Sequence, residues 1–202
     1  EKSDEWIQDY FNSFHYKTKQ EADEIIKILK LKNVNSILEL GCGSAQLTIE
    51  ILKANPHIKA HVMDLPVITK LTKENILKEN MENRIEISTG NIFNDNFGKN
   101  YDMILLSNVI HEYSVFENIE LMHKCYEALN KQGQVVIIER IIDDDRTKPA
   151  NSVFYSLNML LNTKTGDSYS ETDLWIMLKE AWFKNVIRVD TEFGTSLMIG
   201  IK

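Results

Sequence analysis

Short runs of apolar, β-forming residues alternate along the chain with longer stretches of helical period. The runs that read as strands are Val34–Leu40, Ile58–Asp64, Arg84–Ser88, Tyr101–Leu106, Gln134–Glu139, Asn185–Asp190 and Thr195–Ile201. Between them the 3.6-residue period predicts helices over Gln20–Leu31, Ala45–Ala54, Pro66–Glu79, Val115–Leu129, Asn151–Leu161 and Glu171–Trp182. Pro56 closes the second of these, and Gly133 reads as the stop after the fourth. Strands such as Met103–Leu106 and Val135–Ile138 are apolar on both faces, as expected of parallel strands covered by helices. The alternation predicts a doubly wound, Rossmann-like α/β domain built on a seven-stranded sheet. Only Thr191–Gly194 joins the last two strands, too little for a crossover. They should therefore pair antiparallel, leaving a mostly parallel sheet with an antiparallel C-terminal strand.

Ahead of this pattern, Trp6, Tyr10, Phe11 and Phe14 recur at near-helical spacing. They predict an amphipathic helix that packs on something or closes over a ligand. The organisation expected is a helical segment over residues 1–19 and one α/β domain over residues 20–202.

The composition narrows the function classes. With 202 residues, 43% hydrophobic and 26% charged, the chain lies near globular averages and is no disordered or fibrous protein. A net charge of −7 argues against nucleic acid as a partner, because phosphate binding needs a basic face. No apolar run approaches the roughly 20 residues that span a bilayer, so no membrane is expected. Cys42 and Cys125 form no metal-ligand or CxxC spacing, and the acidic run Asp143–Asp145 has no further ligands near it and reads as solvated surface. A reducing, cytoplasmic setting without a metal is the simplest expectation.

The first strand runs into Glu39-Leu-Gly41-Cys-Gly43-Ser-Ala45, where a helix begins. A glycine-rich strand-to-helix turn lets the backbone approach a ligand at a helix N-terminus. The dinucleotide fingerprint wants a small residue three after the second glycine, but Gln46 stands there. The loop resembles instead the first motif of class I S-adenosylmethionine-dependent methyltransferases, acid-x-Gly-x-Gly-x-Gly. Glu39, Gly41 and Gly43 match it, and Ala45 departs from the third glycine by one methyl group. A carboxylate here would repel a diphosphate and suits a cofactor that carries an ammonium and a sulfonium.

Asp64 ends the second strand roughly 20 residues further on, where an acid accepts hydrogen bonds from ribose hydroxyls. It could equally cap the helix that starts at Pro66. After the third strand, the resemblance implies that Asn91 bonds the adenine amino group and Ile92 lies against the ring. A simple turn at Gly90-Asn91 is the alternative.

Of five histidines, His111 stands apart. It follows the fourth strand within five residues, where open α/β sheets bind ligands, and Glu139 closes the next strand at the same rim. A carboxylate there can orient an imidazole and stabilise its protonated form. The alternative is that His111 caps the following helix.

This segment narrows the resemblance to the small-molecule O-methyltransferases of the caffeate and hydroxyindole type. It implies that His111 deprotonates an acceptor hydroxyl, with Glu112 in place of the usual acid after it and Glu139 as the first of two flanking glutamates. Met159 and Asn162 match substrate-binding positions, and Ser107 replaces a cofactor-side residue that is often basic. The second glutamate would fall near Ser168, and none stands there. Its absence keeps transfer to nitrogen or carbon, or another reaction on the same fold, as an alternative, and a non-catalytic S-adenosylmethionine-binding domain is a further one. The implied cofactor is S-adenosylmethionine, with S-adenosylhomocysteine as product, and the implied partner is a small-molecule acceptor. The resemblance covers Gln20–Lys202, the catalytic half of that family. Its N-terminal winged-helix dimerisation domain has no counterpart here, which implies an excised domain or a shorter relative, and a homodimer as the candidate state of the intact protein.

Overall fold

The computed structural model describes residues 4–202, with side-chain surroundings at positions 9 and 11 and from residue 15 onward. Two compact units partition the chain, Glu1–Phe97 and Gly98–Lys202.

In the first unit, helix α1 (Asp4–Ile28) leads through a 3₁₀ turn at Leu31–Asn33 into β1 (Ser36–Leu40), α2 (Gln46–Ala54), β2 (Lys59–Asp64), α3 (Pro66–Lys78) and β3 (Ile85–Thr89). The β2 strand lies between β1 and β3, and both pairings are parallel. Ile37, Leu38 and Leu40 on β1 are fully buried on both of its faces, as apolar double-faced strands require. The N-terminal segment and the Gln20–Leu31 helix are one continuous helix, α1, rather than two pieces. Of the expected aromatic stripe, Phe11 is buried, and the side chains of Trp6, Tyr10 and Phe14 lie outside the described residues.

The second unit holds β4 (Tyr101–Ser107), a 3₁₀ turn at Ile110–Glu112, α4 (Val115–Ala128), β5 (Leu129–Glu139), α5 (Ala150–Asn162), α6 (Glu171–Glu180), β6 (Lys184–Asp190) and β7 (Ser196–Ile201). Here β4 pairs parallel with β5, and β7 inserts antiparallel between β5 and β6. The short connection into β7 therefore produces the antiparallel C-terminal pairing that its length demands. Among the described residues there are seven strands, mostly parallel, and the fold class is the one read from the pattern.

One boundary differs from expectation. Gly133 does not stop α4: the helix ends at Ala128, β5 begins at Leu129, and Gly133 lies inside the strand. The register slips there, Tyr101 facing Leu129 while Met103 faces Gln134. A Cβ at Gly133 would come within 2.9 Å of the Asn130 carbonyl oxygen, so the irregularity selects glycine. Among the described residues no helix is long and apolar enough to cross a membrane.

Candidate active site

The turn after β1 is built from left-handed residues at alternate positions. Gly41, Gly43 and Ala45 have φ of 65°, 51° and 53°. That region costs a residue with a side chain about 1–2 kcal/mol, which is why a Gly-x-Gly-x-Gly pattern suits it. Ala45 therefore departs from the pattern by backbone strain as well as by a methyl group. The turn is held from outside. Gly43 N–H donates to Asp64 Oδ2 at 2.8 Å, Thr72 Oγ1 donates to Gly43 O at 2.6 Å, and Asn75 Nδ2 donates to Ser44 O at 2.8 Å and to Gln46 Oε1 at 3.2 Å. Gln46, too large for a dinucleotide turn, is buried in this brace.

Asp64 also accepts from Leu65 N–H at 2.7 Å, so its carboxylate stiffens the turn from the end of β2. The residue that caps α3 is Leu65, without a side-chain cap. Glu39 is buried and accepts from Thr48 Oγ1 at 2.7 Å. Burial pushes its carboxyl up to about 7, the Thr48 hydrogen bond opposing and the Asp64 charge assisting. On the same turn, a side chain at Gly43 would meet no atom within 4 Å, so the backbone there borders open space. A cationic ligand fits that donor set, since an ammonium would offset the cost of ionising Glu39. Asn91, after β3, spends its Oδ1 on a turn, accepting from Phe93 N–H at 2.8 Å, while Ile92 is buried beside it.

In the second unit the ends of β4 and β5 lie side by side, with Ser107 paired to Ile138. Ser107 is half-buried and accepts from Asn108 Nδ2 at 3.2 Å. Four residues on, His111 is buried in the 3₁₀ turn, and its Nδ1 lies 3.0 Å from both carboxylate oxygens of buried Glu139. Burial lowers the imidazole's pKa, but the Glu139 charge and hydrogen bond outweigh it, and the net shift is upward. Tyr155 of α5 reaches His111 Nε2 at 3.0 Å, with the two rings edge-on.

The turn that carries His111 is clamped by backbone contacts. Asn118 Nδ2 donates to Ile110 O at 2.9 Å, and Asp167 N–H donates to His111 O at 3.0 Å. Gly166 passes so close to His111 O that no side chain fits. At the place expected of a second glutamate, Ser168 is buried with its hydroxyl on Ser152 O at 3.1 Å. The neighbouring Asp167 carboxylate bonds Ser156 Oγ and, at 2.7 Å, Arg146. Among the described residues no group of three or more His, Cys, Asp or Glu side chains is arranged to hold a metal.

A family model for an O-methyltransferase domain matches residues 1–184. The chain belongs to the O-methyltransferase family. Within that family it is 28% identical over 183 residues to 3-hydroxy-5-methyl-1-naphthoate 3-O-methyltransferase of Streptomyces sahachiroi, covering 90% of this chain and 53% of that protein. It is 28% identical over 167 residues to acetylserotonin O-methyltransferase of Gallus gallus, covering 81% and 46%. Its fold matches human N-acetylserotonin methyltransferase, solved in complex with SAM, with a TM-score of 0.90 at 22% identity over 99% of this chain and 56% of that one. The chain thus spans about half the length of the curated relatives it matches.

In this O-methyltransferase-family chain, Glu39, Gly41, Gly43 and Asp64 come together around one turn, and His111 joins Glu139. Met159 is buried on the inward side of α5, whereas Asn162 is exposed and turns back onto Asn158 of its own helix. Glu112 is exposed and acts on His111 only through its charge. Of the other histidines, His61 bonds Ser88, and His123 packs against Trp182 with its Nδ1 buried and without a hydrogen-bond partner. Sequence reasoning missed Tyr155, Asn118, Thr72 and Asn75. Tyr155 stands one helical turn before Met159, a spacing that could have marked it; the other three depend on contacts between distant segments.

Proposed function

We propose that this chain carries S-adenosylmethionine-dependent methyl transfer to a hydroxyl of a small molecule, with His111 as the general base. The buried His111–Glu139 pair carries the reading. Glu139 accepts a hydrogen bond from Nδ1–H, which leaves Nε2, with its lone pair, as the basic atom and stabilises the imidazolium once a proton arrives. A general base of this kind contributes about 10²–10⁴-fold.

The glycine turn, Glu39 and Asp64 would hold the cofactor, with Asn91, Ile92 and Ser107 assigned to the same ligand by the motif. When bound, S-adenosylmethionine supplies a methyl group already activated on sulfur. The protein's own share is alignment, worth up to about 7–11 kcal/mol in good geometry. Met159, inward on α5, suits an apolar acceptor surface, and Asn162 is its assigned polar neighbour. The names of relatives, a naphthoate and an acetylserotonin methyltransferase among them, support a hydroxylated aromatic acceptor.

The test is transfer of labelled methyl from S-adenosylmethionine to a panel of phenols, alongside calorimetry of cofactor binding. Asp64→Ala should weaken cofactor binding on the order of tenfold to a hundredfold, because charge-assisted hydrogen bonds of about 1.5–3 kcal/mol are lost. Binding of NAD in preference to S-adenosylmethionine would overturn the reading.

A further inference from the structure

Glu139 accepts a hydrogen bond from Nδ1–H of His111, so the neutral imidazole presents its single lone pair at Nε2. That lone pair already has a partner, the hydroxyl of Tyr155 at 3.0 Å. An acceptor hydroxyl and Tyr155 cannot both donate to it. Either Tyr155 departs before each turnover, or the proton travels through it.

The surroundings of Tyr155 hold it in place. Its ring meets the His111 ring edge-on, with centroids 5.0 Å apart, and the Arg140 guanidinium lies 5.1 Å from its centroid on the ring face. It projects from the inward side of α5, together with buried Ser152 and Met159. Ser152 ties that side of the helix to Ile141 through a 3.0 Å hydrogen bond. The ring is nevertheless only half-buried, so its hydroxyl is not sealed away.

Building on the function proposed above, we propose that Tyr155 is a catalytic residue that relays the proton from the acceptor hydroxyl to His111. The acceptor O–H bond breaks as a bond forms to Tyr155 Oη, and the Tyr155 O–H bond breaks as Nε2–H forms. The proton ends on an imidazolium that faces Glu139, with Glu112 on the same turn adding negative charge and Arg140 opposing it. The electron pair left on the acceptor oxygen is the pair that takes the methyl group. Tyr155 is unchanged after the cycle, and the imidazolium returns its proton to solvent. A phenol titrates near pH 10 on its own, as tyrosine does, so a phenolic acceptor exchanges its proton with Tyr155 at little energetic cost. An aliphatic alcohol is a far weaker acid. The relay therefore makes this site selective for phenols.

The experiment compares the full chain with Tyr155→Phe, His111→Ala and the double variant, using 1-naphthol and methyl-labelled S-adenosylmethionine. The relay requires that Tyr155→Phe lower kcat by about 10–10³-fold. KM and S-adenosylhomocysteine affinity should stay within a few-fold, and the double variant should be no slower than His111→Ala alone. An unchanged or faster kcat with a lower KM would make Tyr155 a displaceable placeholder and overturn the relay. Wild-type turnover of 1-naphthol tests the parent reading separately. Nitrogen NMR of labelled histidine needs no turnover: Tyr155→Phe should move the His111 Nε2 resonance and leave Nδ1 in place. An unmoved Nε2 resonance would show that the contact is absent and remove the relay with it.

Discussion

Thr48 donates its hydroxyl to the Glu39 carboxylate across 2.7 Å, in a fully buried contact between α2 and the end of β1. That hydrogen bond does not offset the cost of burial, and the carboxyl is raised from 4.5 to about 7. The folded state thus holds a proton that the unfolded chain releases between these values. Stability should fall as pH rises across that window, by about 3 kcal/mol in all. A cationic cofactor should draw the proton off, so S-adenosylmethionine affinity should rise between pH 6 and about 8. Glu39→Gln should flatten both profiles. Calorimetry showing a pH-independent wild-type affinity would detach Glu39 from the cofactor.

The raised pKa of His111 works in the same sense for stability. Its contribution is fully present below 6.5 and disappears as pH climbs through the folded value. If His111 is the general base proposed, turnover should rise with pH through a midpoint above 6.5. His111→Ala should lower turnover by about 10²–10⁴-fold with cofactor affinity within a few-fold. Glu139→Gln should cost less and shift the midpoint downward, since the charge that raises the pKa is gone. Near wild-type turnover in His111→Ala, on an acceptor that is truly methylated, would mean that alignment alone carries the reaction.

Gly166 supports the same turn from behind. A Cβ there would run into His111 O and come within 2.6 Å of Thr163 Oγ1. Gly166→Ala should therefore destabilise the second unit by about 1–3 kcal/mol and slow turnover. Cofactor affinity, which the proposed function assigns to the glycine turn of the first unit, should hold. Equal losses in both measurements would contradict this separation.

Helix α5 exposes Phe154, Leu157, Leu160 and Leu161, the last at 82%. Contiguous apolar surface tends to find a partner, so the chain should self-associate as concentration rises. Replacing Leu160 with Lys and Leu161 with Glu should reduce association in sedimentation, with stability changing by under about 0.5 kcal/mol per site. A wild-type chain that stays monomeric at high concentration would remove this face as an interface.

The order of strands and helices was legible in the sequence because it rests on local periodicity and on the length of connections. The double-faced apolar runs, Pro66 at a helix start and the short link before β7 each restrict the backbone wherever the rest of the chain lies. The glycine turn was equally legible, since only a few residues tolerate φ near +50 to +65° at alternate positions. His111 and Glu139 could be matched because the ends of adjacent parallel strands must share a rim. Tertiary structure alone decided what each acid and amide does there. Asp64 braces Gly43, Asn91 makes a turn, Asn162 faces outward, and Gly133 sits inside a strand. Tyr155, 44 positions from His111, becomes its nearest polar neighbour at Nε2 only when α5 packs beside that turn. Side-chain hydrogen bonds between distant segments leave no periodic trace, because they depend on where whole helices settle and not on the residues next to them.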